Sequence, residues 1–225
     1  MFKILIYINH DVELDHFCAL VYKLSFIPNV RVEIFLAEKW MREDCRILKL
    51  IQRDRVTMYG KENIPITNSI LINLFDTLIR LRRKLDLDLK WLYRSSTIIS
   101  QVDPIESFLD EIDLLIIDNT NYEDNPRFSK IVDQDRINIW VYPCSPTKVD
   151  INKTNQLEYK RKFNLHSRKH KILVSGPNSL FFRNLNKSMR NQTKFIGDLR
   201  YDPDYLNFIS GDLKLIVIFI SPHCY

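Results

Sequence analysis

Short apolar runs, each cut off at once by a polar cluster, constrain this chain more than any other feature. The first lies in FKILIYINHD at residues 2–11, where Ile4, Leu5, Ile6, Tyr7 and Ile8 run straight into Asn9, His10 and Asp11. The figure recurs as DLLIIDNTN at residues 113–121, INIWVYPC at 137–144 and KILVSG at 171–176. Runs this short, apolar on both sets of alternating positions, suit strands buried on both faces. Such strands belong to parallel sheets covered by helices. In open sheets of that kind the ligand crevice lies beyond the carboxyl ends of the strands. The candidate site is therefore made of the polar residues at the carboxyl end of each run. Asn9 and His10 come after the first strand, Asp118 and Asn119 after a later one, and Cys144, Ser145 and Lys148 after the next.

Helical patterns alternate with these runs. Leu14, Phe17, Cys18, Val21 and Leu24 recur at helical spacing over residues 12–24, with Asp11 as the expected N-cap and His16 as a half-buried surface histidine. NVRVEIFLA at 29–37 reads as a second strand, 38–52 as a charged helix, and 55–59, closed by Gly60, as a third strand. This β-α-β-α-β order predicts an α/β fold with a Rossmann-like, doubly wound, mostly parallel sheet. Further on the pattern predicts a helix over 178–189, a short strand over 194–196, and a last short helix opened by Asp202-Pro203-Asp204. Asp103-Pro104 and Asn125-Pro126 open two others. Residues 150–170 lack apolar periodicity and read as a long loop.

Residues 68–99 form a long helical pattern made basic by Arg80, Arg82, Arg83, Lys84, Lys90 and Arg94. Two readings stay open for it: a solvated face, or a surface for a membrane or an anionic acceptor. The apolar run at 214–220, with Ser221-Pro222 after it, reads as the opening of another βα unit. The expectation is a domain over 1–212 and the start of a second, truncated or missing, at 213–225.

The formal charge of +5 suits anionic small molecules, a membrane surface or nucleic acid without choosing among them. No GxGxxG comes after the first strand and no GxxxxGK[ST] occurs, against a dinucleotide site and a P-loop. GxSxG and HExxH are absent too, and the four cysteines form no CxxC pair. No cofactor and no metal site are expected, and the cysteines read as reduced thiols in a cytoplasmic protein. The aromatics are dispersed like core residues with no RNP-type motif, so no nucleic-acid partner is expected. The longest apolar run is too short to span a bilayer, which leaves peripheral association at the inner membrane face as the membrane option.

One region carries a family signal. The strand at 171–175 with Gly176-Pro177, the helix after it, and KFIGDLRYDPDY at 194–205 resemble a segment of bacterial GT-B-type transferases, those similar to CDP-glycerol glycerophosphotransferases and UDP-N-acetylglucosamine 2-epimerases. In those proteins a Gly-x-x-Arg-Tyr/Phe-Asp turn leads by a short helix into the second domain. Gly197, Arg200, Tyr201 and Asp202 stand in its places. The resemblance covers residues 137–225, and implies a hinge made of Gly197, Arg200 and Asp202. Many relatives carry a His-Gly pair after the strand matching 137–142. Pro143-Cys144 stand there instead, so either His10 supplies the base or activity is lost.

Two functions stand first; a third, a 2-epimerase half, needs acid/base carboxylates and a second domain. On the first, the chain is the N-terminal, acceptor-side domain of a GT-B glycosyl- or glycerophospho-transferase of surface polysaccharide synthesis. Its partners would be a nucleotide-activated donor, held by a second domain, and a glycan or lipid-linked acceptor. His10 or Asp118 would act as base, while Asn9, Asn119, Cys144, Ser145 and Lys148 would contact substrate. On the second, it is a non-catalytic Rossmann-like module that binds a protein partner or an anionic glycan. His10 reads equally as a loop histidine bonded to nearby backbone, and Asp118 as a turn or helix cap.

Overall fold

The computed structural model describes residues 1–60, 109–124, 128, 137–144, 149–151, 157–159, 165 and 167–211. Nine strands occur among them: β1 (Phe2–Ile8), β2 (Val30–Leu36), β3 (Val56–Gly60), β4 (Leu114–Ile117), β5 (Asn138–Val141), β6 (Val149–Ile151), β7 (Leu157–Tyr159), β8 (Lys171–Val174) and β9 (Thr193–Phe195). Seven form one sheet in the order β3-β2-β1-β4-β5-β8-β9, and every neighbouring pair is parallel. β6 and β7 pair separately as an antiparallel hairpin.

β1 is the spine of the sheet. It pairs along its whole length with β2, from Phe2↔Val30 to Ile8↔Leu36, and on its other edge with β4, Ile6 opposite Ile116. Side chains alternate across a strand, so β1 feeds two cores. Ile4, Ile6 and Ile8 join Leu14, Phe17 and Val21 of helix α1 (Asp11–Leu24) on one face. Leu5 and Tyr7 join Phe35, Leu115, Tyr122, Phe181 and Met189 on the other. Both faces are covered by apolar packing, and the fold is an α/β, Rossmann-like one.

The short helices show where sequence pattern yields to local hydrogen bonding. The expected helix over 38–52 is two pieces, a 3-10 turn η1 (Lys39–Glu43) and helix α2 (Cys45–Leu50). Asp44 breaks it: its backbone is extended and its side chain accepts a bond from the Arg46 N–H, which starts a new helix. After α3 (Asn119–Asp124), the helix expected over 178–189 is likewise divided, into α4 (Leu180–Arg183) and α5 (Lys187–Arg190). Asn184 ends the first, and Asn186, extended, caps the second by accepting from the Met189 N–H at 2.9 Å. Asparagine competes with the helical ladder for backbone partners and so punctuates a helix. The loop expected over 150–170 includes the β6–β7 hairpin.

Two expectations about caps have opposite outcomes. Asp11 does not cap α1. The N-cap is His10, and the Asp11 carboxylate accepts only from the N–H of the next residue, Val12, at 2.9 Å. Asp202 does cap α6 (Pro203–Ser210), accepting from Asp204 and Tyr205 N–H at 3.1 and 3.2 Å. Lys49 donates to the Phe208 and Ile209 carbonyls at the other end of α6, at 3.1 and 2.7 Å. Gly211, at φ 55°, then turns the chain out of the helix. The helices expected over 68–99 and from Asp103 and Asn125, the strand at 214–220 and any second unit at 213–225 lie outside the described residues. Among the described residues no helix is long and apolar enough to cross a membrane.

Candidate functional site at the β1–β4 switch point

The strand order reverses direction at β1. From β1 the chain winds out through β2 and β3, then returns to the other side as β4 and β5. The carboxyl ends of β1 and β4 therefore flank the topological switch point, where sheets of this kind leave a crevice. Asn9 and His10 leave β1 there, and Asp118 and Asn119 leave β4.

Glu13 ties the two together. It lies in the first turn of α1 and is fully buried. Its Oε2 accepts the Asn9 N–H at 2.6 Å, and its Oε1 accepts Asn121 Nδ2 at 3.1 Å. The first contact is half of a capping box, in which an acid at the third helical position satisfies donors before the helix. The first-turn donors that a capping side chain would take have other partners: the Val12 N–H donates to the Asp11 carboxylate at 2.9 Å and the Glu13 N–H to the His10 carbonyl at 3.1 Å. Burial pushes the Glu13 carboxyl up to about 8. The Asp118 charge acts in the same sense, and the Asn9 bond opposes it. At neutral pH the group is therefore mostly protonated.

Asp118 is fully buried and bonded through both oxygens. Oδ1 accepts the Cys144 N–H at 2.6 Å, while Oδ2 accepts the Thr120 N–H at 3.0 Å and its hydroxyl at 2.6 Å. The carboxylate thus holds the chain after β5 against the start of α3, a positioning arrangement. Cys144 is buried, its thiol donating to the Tyr142 carbonyl at 3.2 Å. Burial raises its pKa well above the ordinary thiol value, with Asp118 and Glu13 adding to the effect. A protonated buried thiol is a poor nucleophile. Asn119 is fully buried, and neither its amide oxygen nor its amide nitrogen has a hydrogen-bond partner.

His10 is half-buried, with Nε2 3.0 Å from Asn9 Nδ2. With the amide donating, the Nε2 lone pair is engaged and the ring is held in one orientation. A base at this position acts once an incoming hydroxyl replaces the Asn9 amide. The structure thus brings Asn9, His10, Asp118, Asn119 and Cys144 to one end of the sheet, while Ser145 and Lys148 lie outside the described residues.

The expected hinge residues lie beside α1. Gly197 has φ 75°, a conformation that favours glycine. Arg200, in the 3-10 turn η2 (Leu199–Tyr201), forks onto Asp198 with Nε and Nη2 at 3.2 and 3.4 Å from its oxygens. Asp202 also pairs with Lys23 of α1 at 2.8 Å. His16 packs edge-on against Tyr142, ring centres 5.5 Å apart. Burial first, and the Arg200 charge second, lower its pKa to about 4, so it is neutral at physiological pH.

Sequence reasoning missed Glu13 and Arg46. The signal for Glu13 was present: an acid three residues after the residue that opens a helix. Arg46 belongs to a spatial cluster that no local pattern reveals. Among the described residues no group of three or more His, Cys, Asp or Glu is placed to hold a metal ion. Compared with models of known protein families the chain matches none, and no curated protein matches it.

Proposed function

We propose that the chain is the acceptor-side domain of a GT-B-type glycosyl- or glycerophospho-transferase acting in surface polysaccharide synthesis. The observation that supports it is His10, half-buried at the β1–β4 switch point with its ring oriented by Asn9. Asp118 has both oxygens engaged and Cys144 is a protonated thiol, so His10 is the proton acceptor among these residues. On this reading an acceptor hydroxyl displaces the Asn9 amide, hydrogen-bonds Nε2 and passes its proton to His10 as it attacks the donor. Glu13 fills the α1 N-terminus where a Rossmann dinucleotide places its pyrophosphate, so the donor nucleotide belongs on a second domain.

The test has two parts. Calorimetric titration with UDP-, CDP- and GDP-activated donors should give weak binding or none to these 225 residues, and tight donor binding would overturn the reading. In a form competent for transfer, His10→Ala should lower turnover about a hundredfold, the scale of a lost general base, with melting unchanged. The engagement of both Asp118 oxygens favours a second reading, a non-catalytic glycan-binding module. Oligosaccharide binding of equal strength in wild type and His10→Ala, without transfer, would select it.

A further inference from the structure

A pocket of about 200 Å³ is lined by Asp15, Arg46, Arg200, Tyr201, Tyr205 and Ile209. Its walls come from α1, α2, η2 and α6. Two guanidinium groups face it, and each is pinned from one side. Arg46 Nε and Nη2 bond the two oxygens of Asp44 at 2.8 and 2.7 Å, and its Nη1 pairs with Asp15. Arg200 bonds Asp198 through Nε and Nη2. A guanidinium has five N–H donors. Arg46 therefore keeps two unused and Arg200 three, including both on Nη1. The independent observation is Tyr205. It is only 2% exposed and its hydroxyl has no hydrogen-bond partner. Tyr205 lines the pocket beside Asp15, Arg46 and Arg200. A buried hydroxyl without a partner is uncommon in folded proteins and calls for an explanation.

We propose that this pocket binds the phosphate of a small phosphomonoester, through the free N–H groups of Arg200 and Arg46 and the Tyr205 hydroxyl. Arginine forks match phosphate geometry, and Asp44 and Asp198 hold both forks in place before any ligand arrives. The three carboxylates outnumber the two guanidinium groups, so the empty pocket does not attract simple anions by charge alone. Asp15 resolves this. Its side chain is 57% exposed and occupies Arg46 Nη1 from the rim. It stands in for the ligand's anion and swings into solvent on exchange. Tyr201 is 68% exposed at the mouth, with the Arg200 guanidinium 5.2 Å from its ring centre, and offers a flat face to the rest of the ligand. The site is independent of any transferase chemistry at His10.

The test is thermal melting and amide NMR at low ionic strength, with inorganic phosphate, glucose 6-phosphate, or phosphatidylcholine vesicles containing one part in five phosphatidic acid. Wild type should show a saturable rise in Tm with at least one probe, and shifts at residues 200–205. A response to the soluble phosphates assigns a metabolite; a response to the vesicles alone assigns a lipid headgroup. Arg200→Gln should weaken binding roughly tenfold or more, the scale of one charge-assisted hydrogen bond. Asp15→Asn should tighten it. Tyr205→Phe should leave the unliganded Tm unchanged or higher and still weaken binding. No saturable response to any probe, or equal affinity in Arg200→Gln, would overturn the proposal.

Discussion

Glu13 occupies the place at the first helix where nucleotide-binding versions of this architecture put phosphate. It closes that place with a carboxyl group that is mostly protonated at neutral pH. The raised pKa fixes the sign of its effect on stability. Between the ordinary value of 4.5 and about 8 the folded state holds a proton that the unfolded chain has released. Its contribution is therefore complete below about pH 4.5 and is lost as pH rises through about 8. Wild type should lose up to about 1.4 kcal/mol per pH unit across that window relative to Glu13→Gln, read from urea unfolding at matched pH values. Parallel stability curves for the two proteins would refute the assignment. The sequence allowed His10, Asp118 and Asn119 to be grouped, because each comes just after an apolar run. It could not show that Asp118 is saturated with donors, since the Cys144 N–H comes from another strand.

The strands were legible and the helices less so, for a physical reason. A strand buried on both faces needs little except unbroken apolar character, and residues 4–8 and 114–117 have it. Helix limits here depend on single side-chain bonds, such as Asn186 to the Met189 N–H, that periodicity does not encode. Asp44 is the clearest instance. It caps α2 and clamps Arg46 through both oxygens, and the Arg46 contact, foremost among several, holds its pKa below the ordinary carboxylate value. Asp44→Ala should cost about 1–2 kcal/mol, the scale of a lost N-cap, in urea unfolding near neutral pH. Asp44→Asn, which keeps a capping oxygen, should lose less. The ion-pair part of the Asp44 contribution is present above about pH 4 and disappears as pH falls through the lowered pKa. A difference between wild type and Asp44→Asn that is unchanged at acid pH would show that the pair contributes nothing.

At the scale of the molecule, β1 carries a core on each side. Ile6→Ala and Leu5→Ala empty opposite faces of the same strand, and each should cost about 2–5 kcal/mol, the range for large-to-small changes at buried sites. Amide exchange should find β1 among the slowest-exchanging segments, since it has β2 on one edge and β4 on the other. Equal protection at β9, which ends the sheet among the described residues, would contradict a central role for β1. The overall class was readable because alternating apolar runs and helical patterns leave few other architectures. The strand order was not, because pairing is a long-range choice.

The place of β1 in that order has a consequence for how the chain is made. During synthesis β1, β2 and β3 leave the ribosome together and can pair at once, but β4 emerges roughly 50 residues later. At about 5–20 residues per second, the apolar edge of β1 waits some 3–10 s for its second neighbour. For that interval the nascent chain presents an open strand edge beside one uncovered apolar surface, the face of Leu5 and Tyr7, since α1 is already made and can cover the other; such an edge is a target for chaperones and for self-association.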